Sequence, residues 1–132
     1  GSKEMSHVSK LKAAITDLVC LETAADCIGM EFDRHATQFR NYGGRMTKCE
    51  GKLSVRGNKD AYEMGVEKKG EQYSLLWDNY GGAQGLVDVV GKGATKLLDE
   101  YQAALFTKHM SAKGMRVRRT TKEDGTLLMA AE

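Results

Sequence analysis

The sequence predicts an α+β fold, in which one mainly antiparallel sheet carries two helices, one short and one long, on one face. Short segments that alternate between apolar and polar residues are separated by glycine-rich turns, which is typical of antiparallel strands with one face in water. Two further segments, residues 17–29 and 86–113, repeat apolar residues at helical spacing instead. The expected order of elements is β-α-β-β-β-β-α-β-β.

The composition is that of an ordinary globular chain, with 132 residues of which 41% are hydrophobic and 29% are charged. We expect residues 1–4 to be an expression scar and an N-terminal tail, and residues 5–132 to form a single α+β domain. The net charge of +2 is too small to indicate specific binding of duplex nucleic acid. There is no run of about 18 apolar residues and no visible signal peptide, so no membrane partner is expected.

The cysteines and histidines do not indicate a metal site. Cys20, Cys27 and Cys49 include no CxxC pair, and the histidines are scattered without metal-ligand spacing. We therefore expect no metal and no cofactor, and we interpret the cysteines as small buried residues in a reducing compartment. The predicted location is the cytoplasm, or the host cytoplasm if the protein is viral.

The first half of the chain predicts one strand, a short helix and four further strands. Residues 6–13 alternate as a strand, Asp17 provides an N-cap for the short helix, and Gly29 can end that helix. The four strands that follow are residues 31–39, 48–56, 62–67 and 72–77. The last two should form a hairpin, because their alternation is regular and residues 68–71 make a turn between them.

The second half predicts one long helix over residues 86–113, roughly 42 Å in length at the standard rise. Gly91 and Gly93 lie inside it, and each costs on the order of 1 kcal/mol relative to alanine. Close packing or a kink is therefore expected at these glycines. Residues 115–119 and 126–130 predict a closing hairpin.

Residues 77–85 lie where a predicted strand ends and the long helix begins, and they include three glycines within five residues. Glycines let the backbone turn sharply, and the N–H groups of a helix N-terminus attract anions. The segment lacks the Lys-Ser/Thr of a phosphate loop and the spacing of a dinucleotide fingerprint. A turn that simply reverses the chain is the alternative.

The tetrapeptide Asn-Tyr-Gly-Gly occurs twice, at residues 41–44 and 79–82. If the two turns converge, they bring tyrosine rings for stacking and glycine amides for a phosphate; otherwise the tyrosines simply pack on their neighbours. Arginine suits a phosphate because its planar fork can donate two hydrogen bonds at once. The predicted ligand-binding residues are Arg40, Tyr42, Gly43, Arg45, Trp77, Asn79, Tyr80, Gly81, Gly82, Arg116 and Arg118, with Arg119 as a further candidate.

Several segments of the chain carry a resemblance to a known family: residues 5–9, Tyr42-Gly43-Gly44, residues 62–66, Trp77-Asp78, the long helix, residues 114–119 and Asp124-Gly125-Thr126. In these segments the chain resembles the family known as the hypothetical chloroplast open reading frame thirty-five, with similar proteins in algal plastids, cyanobacteria and bacteriophages. Asn79-Tyr80 departs from the family, which tends to have an aromatic residue and a glycine there. The resemblance implies a fold and a range of hosts but no reaction.

Three functions remain open. The first is a non-enzymatic binding protein for an anionic, nucleotide-like small molecule; in a phage, such a protein could sequester a host signalling nucleotide. The second is an oligomeric interaction or assembly module that acts through the long helix, and a homo-oligomer is expected. The third is an enzyme, which we do not expect, because no nucleophile paired with a base and no carboxylate pair stands out in the sequence.

Overall fold

A computed structural model of the chain describes residues 8–78 and 80–132, with side chains from residue 15 onward except at positions 79 and 80. The predicted scar and tail at residues 1–4 lie outside the described residues. The strands are β1 (Val8–Ile15), β2 (Met30–Asp33), β3 (Gln38–Arg40), β4 (Met46–Lys48), β5 (Lys52–Val55), β6 (Met64–Lys69), β7 (Gln72–Asp78), β8 (Val117–Thr121) and β9 (Leu127–Ala131). The helices are α1 (Leu18–Cys27), α2 (Leu86–Val90) and α3 (Thr95–Ala112).

Five strands form the main sheet in the order β1-β7-β6-β5-β2, and every neighbouring pair is antiparallel. The predicted α+β class with an antiparallel sheet is confirmed. The predicted hairpin is also present as β6 and β7, in which Val66 lies opposite Leu75. Gly70 makes the tight turn between these strands with a φ of +66°, a conformation that glycine adopts without steric cost.

The short helix α1 begins and ends where the sequence predicts. The Asp17 carboxylate accepts a hydrogen bond from the Cys20 N–H at 3.1 Å, so it caps the first turn. Gly29 has a φ of +82° directly after the last turn, as the left-handed residue that ends a helix commonly does. The face with Leu21 and Ala24 is fully buried. Burying one leucine side chain stabilises the fold by about 1.5–3 kcal/mol.

Helix α3 packs beside α1 on the sheet. Its side chains Leu97 and Tyr101 are fully buried in the core that the sheet and helices share. The Tyr101 hydroxyl accepts hydrogen bonds from the backbone N–H groups of Thr16 at 2.8 Å and Asp17 at 3.1 Å. Tyr101 thus satisfies two backbone donors at the junction of β1 and α1, which would be costly to leave unpaired.

The four strands predicted between the helices are in fact six. The predicted strand at residues 31–39 divides because the Asp33 side chain accepts from the His35 N–H at 2.9 Å and starts a turn. The predicted strand at residues 48–56 divides near Gly51, which has a φ of +130°. The additional strands β3 and β4 pair with each other as a separate two-stranded sheet.

This small sheet covers the face of the main sheet opposite the helices. Leu75 and Trp77 point into the helix-covered core, whereas Leu76 between them forms a second buried cluster with Phe39 and Cys49. Gly65 lies opposite Leu76 in the register, and a Cβ atom at Gly65 would come within 2.5 Å of the Phe39 ring. Because Gly65 has no side chain, the Phe39 ring can pack directly against the backbone on this face.

The predicted helix over residues 86–113 is not continuous. It consists of α2, a short turn at Lys92–Ala94 and the longer α3. The break follows Gly91, whose φ of +84° and ψ of 162° are far from helical, and it includes Ala94 with a φ of +61°. The kink expected at the two glycines is therefore confirmed, although it interrupts the helix rather than bending it.

The closing hairpin is present as β8 and β9, which lie against α3 and, among the strands that the structure describes, pair only with each other. None of the ten residues in these two strands is fully buried.

Within residues 8–78 and 80–132, none of the helices combines the length and the apolar character that crossing a bilayer requires.

Candidate functional site

The two Asn-Tyr-Gly-Gly turns approach each other through one loop of the chain. In the first turn, Tyr42 is 39% exposed, and its ring meets the Tyr62 ring edge-on at a centroid distance of 6.4 Å and an angle of 87°. The N–H of Tyr62 donates to the carbonyl oxygen of Ala83, in the second turn, at 3.0 Å. Tyr62 thus contacts one turn through its ring and the other through its backbone.

The loop that precedes Tyr62 is fastened from both sides. The Arg40 guanidinium donates through Nη2 to the carbonyl oxygens of Lys59 at 2.6 Å and Ala61 at 2.7 Å. The Asn58 side chain accepts from the Ala61 N–H at 3.2 Å and donates to the Gln84 carbonyl at 3.4 Å. The two turns are therefore neighbours with a shared support, which we call the paired turns (residues 41–45 and 80–85 with loop 58–62).

The backbone of the second turn is unusual. Gly81, Gly82, Ala83 and Gln84 are four consecutive residues with left-handed φ values of 58°, 80°, 55° and 57°. For a residue with a side chain, this conformation costs roughly 1–2 kcal/mol. Such strain persists only where surrounding contacts hold it, and it is concentrated at functional sites. Here Ala83 is fully buried, and its carbonyl is held by Tyr62.

The first turn is built by local hydrogen bonds. Asn41 is 2% exposed, and its side-chain amide donates to the Thr47 hydroxyl at 2.6 Å, while its backbone N–H donates to the Arg45 carbonyl at 2.8 Å. Gly43 and Gly44 are exposed and have φ values of 68° and 77°. The turn therefore presents its glycine backbone and the Arg45 side chain to solvent.

The structure brings together only some of the predicted ligand-binding residues. Tyr42, Gly43, Arg45, Gly81 and Gly82 belong to the paired turns, and Arg40 lies at the end of β3 directly before the first turn. Trp77 is 3% exposed and packs in the main core, so its ring is not available to a ligand. Asn79 lies outside the described residues, and so does the side chain of Tyr80.

The three C-terminal arginines lie in a different part of the molecule. Arg116 exchanges backbone hydrogen bonds with Glu132, and Arg118 lies opposite Ala130 in the hairpin. Arg119 forms a two-pronged ion pair with Glu100 of α3, with Nη1 donating at 2.8 Å and Nη2 at 2.5 Å. The hairpin lies on the helix layer, whereas β3 and the first turn follow the opposite face of the sheet.

The sequence predicts a loop at residues 57–60, but it does not indicate that residues 58–62 take part in the site. Asn58 and Tyr62 are its organising residues, yet neither lies in a repeated motif. Asparagine is typical of turns, because its side chain can accept from the backbone N–H two residues later. In this loop the Asn58 side chain accepts from the Asp60 N–H at 3.1 Å. Lys59 is exposed in this loop and adds a positive charge, which the neighbouring Asp60 offsets.

Two cavities lie elsewhere, on either side of the contact between α3 and the C-terminal hairpin. One has a volume of about 680 Å³ and is lined by residues that include Asp99, Phe106 and Leu127. The other has a volume of about 610 Å³, lies between α1, α3 and the hairpin, and is lined by residues that include Val19, Cys27 and Val117. Ala103 and Met129 line both cavities.

Two titratable groups beside the second cavity, Asp17 and Cys20, have shifted pKa values. The ion pair and hydrogen bond with Lys108 lower the pKa of Asp17 to about 2, and the Cys20 N–H contributes in the same direction. Burial raises the pKa of the Cys20 thiol. These shifts stabilise the charge on Asp17 and keep Cys20 protonated, which is typical of structural rather than reactive groups.

In the part of the chain that the structure describes, no group of three or more His, Cys, Asp or Glu side chains is arranged to hold a metal ion. No protein-family model, no curated protein and no solved structure matches the chain. The resemblance to the chloroplast reading-frame family therefore stays a prediction.

Proposed function

We propose that the protein binds a small anionic, nucleotide-like ligand at the paired turns and releases it unchanged. The observation that carries this proposal is that the two turns share one support, because Tyr62 contacts the first turn through its ring and the second through its N–H. The two copies of the tetrapeptide therefore contribute to a single surface. The exposed glycines of both turns bring the backbone close to that surface.

Each part of this surface has a role that suits such a ligand. The partly exposed Tyr42 ring provides a stacking platform, which contributes about 1–3 kcal/mol per base in nucleic-acid binders. Arg45 supplies a positive charge with a forked donor pattern that matches a phosphate. The Arg40 guanidinium donates through Nη2 to the Lys59 and Ala61 carbonyls. It therefore fixes the loop and adds a positive charge next to it.

The experiment is isothermal titration calorimetry with linear and cyclic nucleotides. We expect Tyr42→Ala and Arg45→Ala each to weaken binding by roughly 10- to 100-fold. The reason is that a stacked ring contributes about 1–3 kcal/mol and a hydrogen bond to a charged group about 1.5–3 kcal/mol. Each tenfold change in affinity is about 1.4 kcal/mol.

Arg118→Ala is the matched control, because Arg118 is also an exposed arginine but lies on the C-terminal hairpin. Its affinity should equal that of the unaltered protein, and the ligand recovered after heat denaturation should be intact. The proposal fails if no nucleotide gives heat or if Arg118→Ala weakens binding as much as Arg45→Ala. Cleaved ligand would contradict the absence of turnover.

We also propose that the protein is located in a reducing cytoplasm. Cys20, Cys27 and Cys49 are present as free thiols in the described part of the chain. Cys20 and Cys49 are buried, as the sequence predicts, whereas Cys27 is exposed, so that part of the prediction is wrong. Desolvation raises the pKa of each of the three thiols, so they are poorly reactive at neutral pH. Titration with a thiol reagent, after denaturation without a reductant, should find all three cysteines as free thiols.

A second function, self-assembly, is favoured by the surface around α3. Val19 on α1 is 56% exposed and Leu128 on β9 is 45% exposed, and both cavities border the contact between α3 and the hairpin. Apolar surface of this kind marks contact sites when it is contiguous. We therefore also propose a homo-oligomer that forms on this side of the molecule, and sedimentation velocity should show a species heavier than 14.5 kDa at micromolar concentration.

A further inference from the structure

The C-terminal hairpin has two free sheet edges among the described residues, since β8 and β9 pair only with each other. A two-stranded sheet is marginally stable in water, and none of the residues in these two strands is fully buried. Leu128 is 45% exposed on the side away from α3. An additional strand along one edge would stabilise the hairpin and cover this side chain.

The hydrogen bonds of the hairpin determine which backbone groups face outward. Arg116 and Glu132 exchange hydrogen bonds at 2.7 and 2.9 Å, and the Lys122 N–H donates to the Thr126 carbonyl at 2.9 Å. Because hydrogen-bonded and non-hydrogen-bonded pairs alternate along an antiparallel ladder, the inward-facing residues of β9 are Leu128 and Ala130. The N–H and C=O groups of Leu127, Met129 and Ala131 therefore point away from β8.

These outward groups are available for pairing. Within the part of the chain that the structure describes, no other backbone or side-chain group hydrogen-bonds to the outer edge of β9. The edge strand is regular, since all five residues of β9 pair consecutively with β8 without a bulge. Such an edge is a template for a further strand unless charges protect it.

The charges on the two edges differ. Strand β9 has the sequence Leu-Leu-Met-Ala-Ala and contains no charged residue, whereas β8 contains Arg118 and Arg119. In a two-fold antiparallel pair each strand faces its own copy, so two β8 strands would bring two Arg118 side chains together on one face and two Arg119 side chains on the other. Like charges that face each other across strands are destabilising. The β9 edge alone is complementary to itself.

We propose that a second copy of this chain pairs with the outer edge of β9, antiparallel and centred on Met129. Met129 then faces its own counterpart, Leu127 faces the second copy's Ala131, and the exposed Leu128 packs beside the second copy's Ala130. The two hairpins form one four-stranded sheet that spans the two helix layers. This inference rests on the proposed self-assembly and identifies the edge that carries it.

The test is sedimentation velocity on three proteins. The unaltered chain should sediment as a dimer at micromolar concentration, at twice its mass of 14.5 kDa. Met129→Pro removes an outward N–H and should be monomeric, with a dimer dissociation constant raised at least tenfold. Thr121→Pro removes an N–H that the same alternation places outward on β8, so it is the matched control and should stay dimeric.

Disulfide trapping separates a local folding defect from a lost contact. In a Cys27→Ser background, which removes the exposed thiol, Met129→Cys should form a cross-linked dimer on mild oxidation. Two facing residues in a hydrogen-bonded antiparallel pair have Cα atoms about 5.5 Å apart, which suits a disulfide. Thr121→Cys in the same background should not cross-link.

The outcomes distinguish the inference from the self-assembly on which it rests. If the unaltered chain and both variants are monomeric, self-assembly and this edge both fail. If Met129→Pro remains as dimeric as Thr121→Pro, or if Thr121→Cys cross-links while Met129→Cys does not, the dimer forms through another surface. The β9 edge is then wrong, whereas self-assembly stands.

Discussion

The carboxylate of Asp17 joins α1 to α3. One oxygen caps α1 by accepting from the Cys20 N–H at 3.1 Å, and the other accepts from the Lys108 ammonium of α3. The backbone N–H of the same residue donates to the buried Tyr101 hydroxyl. The hydrogen bond with Lys108 is the largest cause of the lowered pKa, about 2 against 3.8 for a free aspartate.

Asp17 therefore predicts a pH dependence of stability. Because its pKa is lower in the folded chain, its charge stabilises the fold above pH 3.8, and this contribution is lost as the pH falls towards 2. Asp17→Asn keeps a capping oxygen but removes the charge. Since Lys108 is largely exposed and water screens the pair, we expect the variant to be less stable by about 0.5–1 kcal/mol at pH 7.

The measurement is urea denaturation of both proteins, followed by circular dichroism, from pH 7 to pH 2. The difference in free energy of unfolding should shrink to near zero at the acid end. Lys108→Met removes the partner and keeps the cap, so it should reduce the pH dependence in the same direction. A deficit of Asp17→Asn that is constant across this range would contradict the role of the charge.

The same residue shows what local sequence can predict. The cap was predicted because an N-cap acts on an N–H only three residues away. The partner Lys108 was not predicted, since it is 91 residues away and nothing in its own neighbourhood indicates an acidic contact. Arg40 is similar, because its hydrogen bonds to the Lys59 and Ala61 carbonyls, 19 and 21 residues away, could not be predicted from its position next to the first turn.

At the scale of elements, the break between α2 and α3 depends on Gly91. Its φ of +84° is combined with a ψ of 162°, a conformation that is essentially restricted to glycine. A Cβ atom there would also lie 2.9 Å from the Lys96 backbone nitrogen. Gly93 has a φ of +65° but nothing within 4 Å of its would-be Cβ, so it differs from Gly91 in the space available.

These two glycines make a matched pair of variants. We expect Gly93→Ala to lower the free energy of unfolding by about 1 kcal/mol, the ordinary cost of a left-handed alanine. Gly91→Ala should cost about 3 kcal/mol or more, because strain and overlap with backbone are added. Chemical denaturation of both variants checks this, and equal losses would show that the break tolerates a side chain at Gly91.

The differences between predicted and observed elements have identifiable causes. The alternation across residues 31–39 continued through a turn at Asp33 and His35, so one long strand was predicted where two short strands occur. Helical periodicity likewise continued across residues 91–94, although the two glycines indicated a kink there. Gly65 was predicted as part of a strand. A glycine is required there because the Phe39 ring packs on it, and this contact with a residue 26 positions away is not visible in the local sequence.

At the scale of the whole molecule, buried residues form two clusters, one on each face of the main sheet. The candidate site follows from this arrangement, since the first turn extends from the strand pair that covers one face and the second turn leads into the helix layer on the other. The repeated tetrapeptide indicated the turns correctly. The sequence predicted that Arg116 and Arg118 lie on a closing hairpin, but it could not show that this hairpin lies away from the paired turns, because charge and residue type alone do not indicate position.

That arrangement predicts two levels of local stability. The amides of β6 and β7, such as those of Val66 and Leu75, lie in the fully buried core and should open only with global unfolding. The inward amides of the hairpin, such as those of Arg118 and Ala130, belong to a two-stranded sheet without a buried residue. In dilute protein we expect hydrogen exchange of these hairpin amides to be at least roughly 100-fold faster.

Protein concentration then separates the hairpin from the rest of the molecule. If a second copy pairs along β9, raising the concentration should slow exchange at the hairpin and at the outward Met129 amide. Exchange at Val66 should change less, because its opening is already limited by the stability of the core. Hydrogen exchange read by NMR at two concentrations is the measurement. Hairpin amides as protected as Val66 in dilute protein would mean that the hairpin unfolds only with the main sheet, and the two-level stability would be wrong.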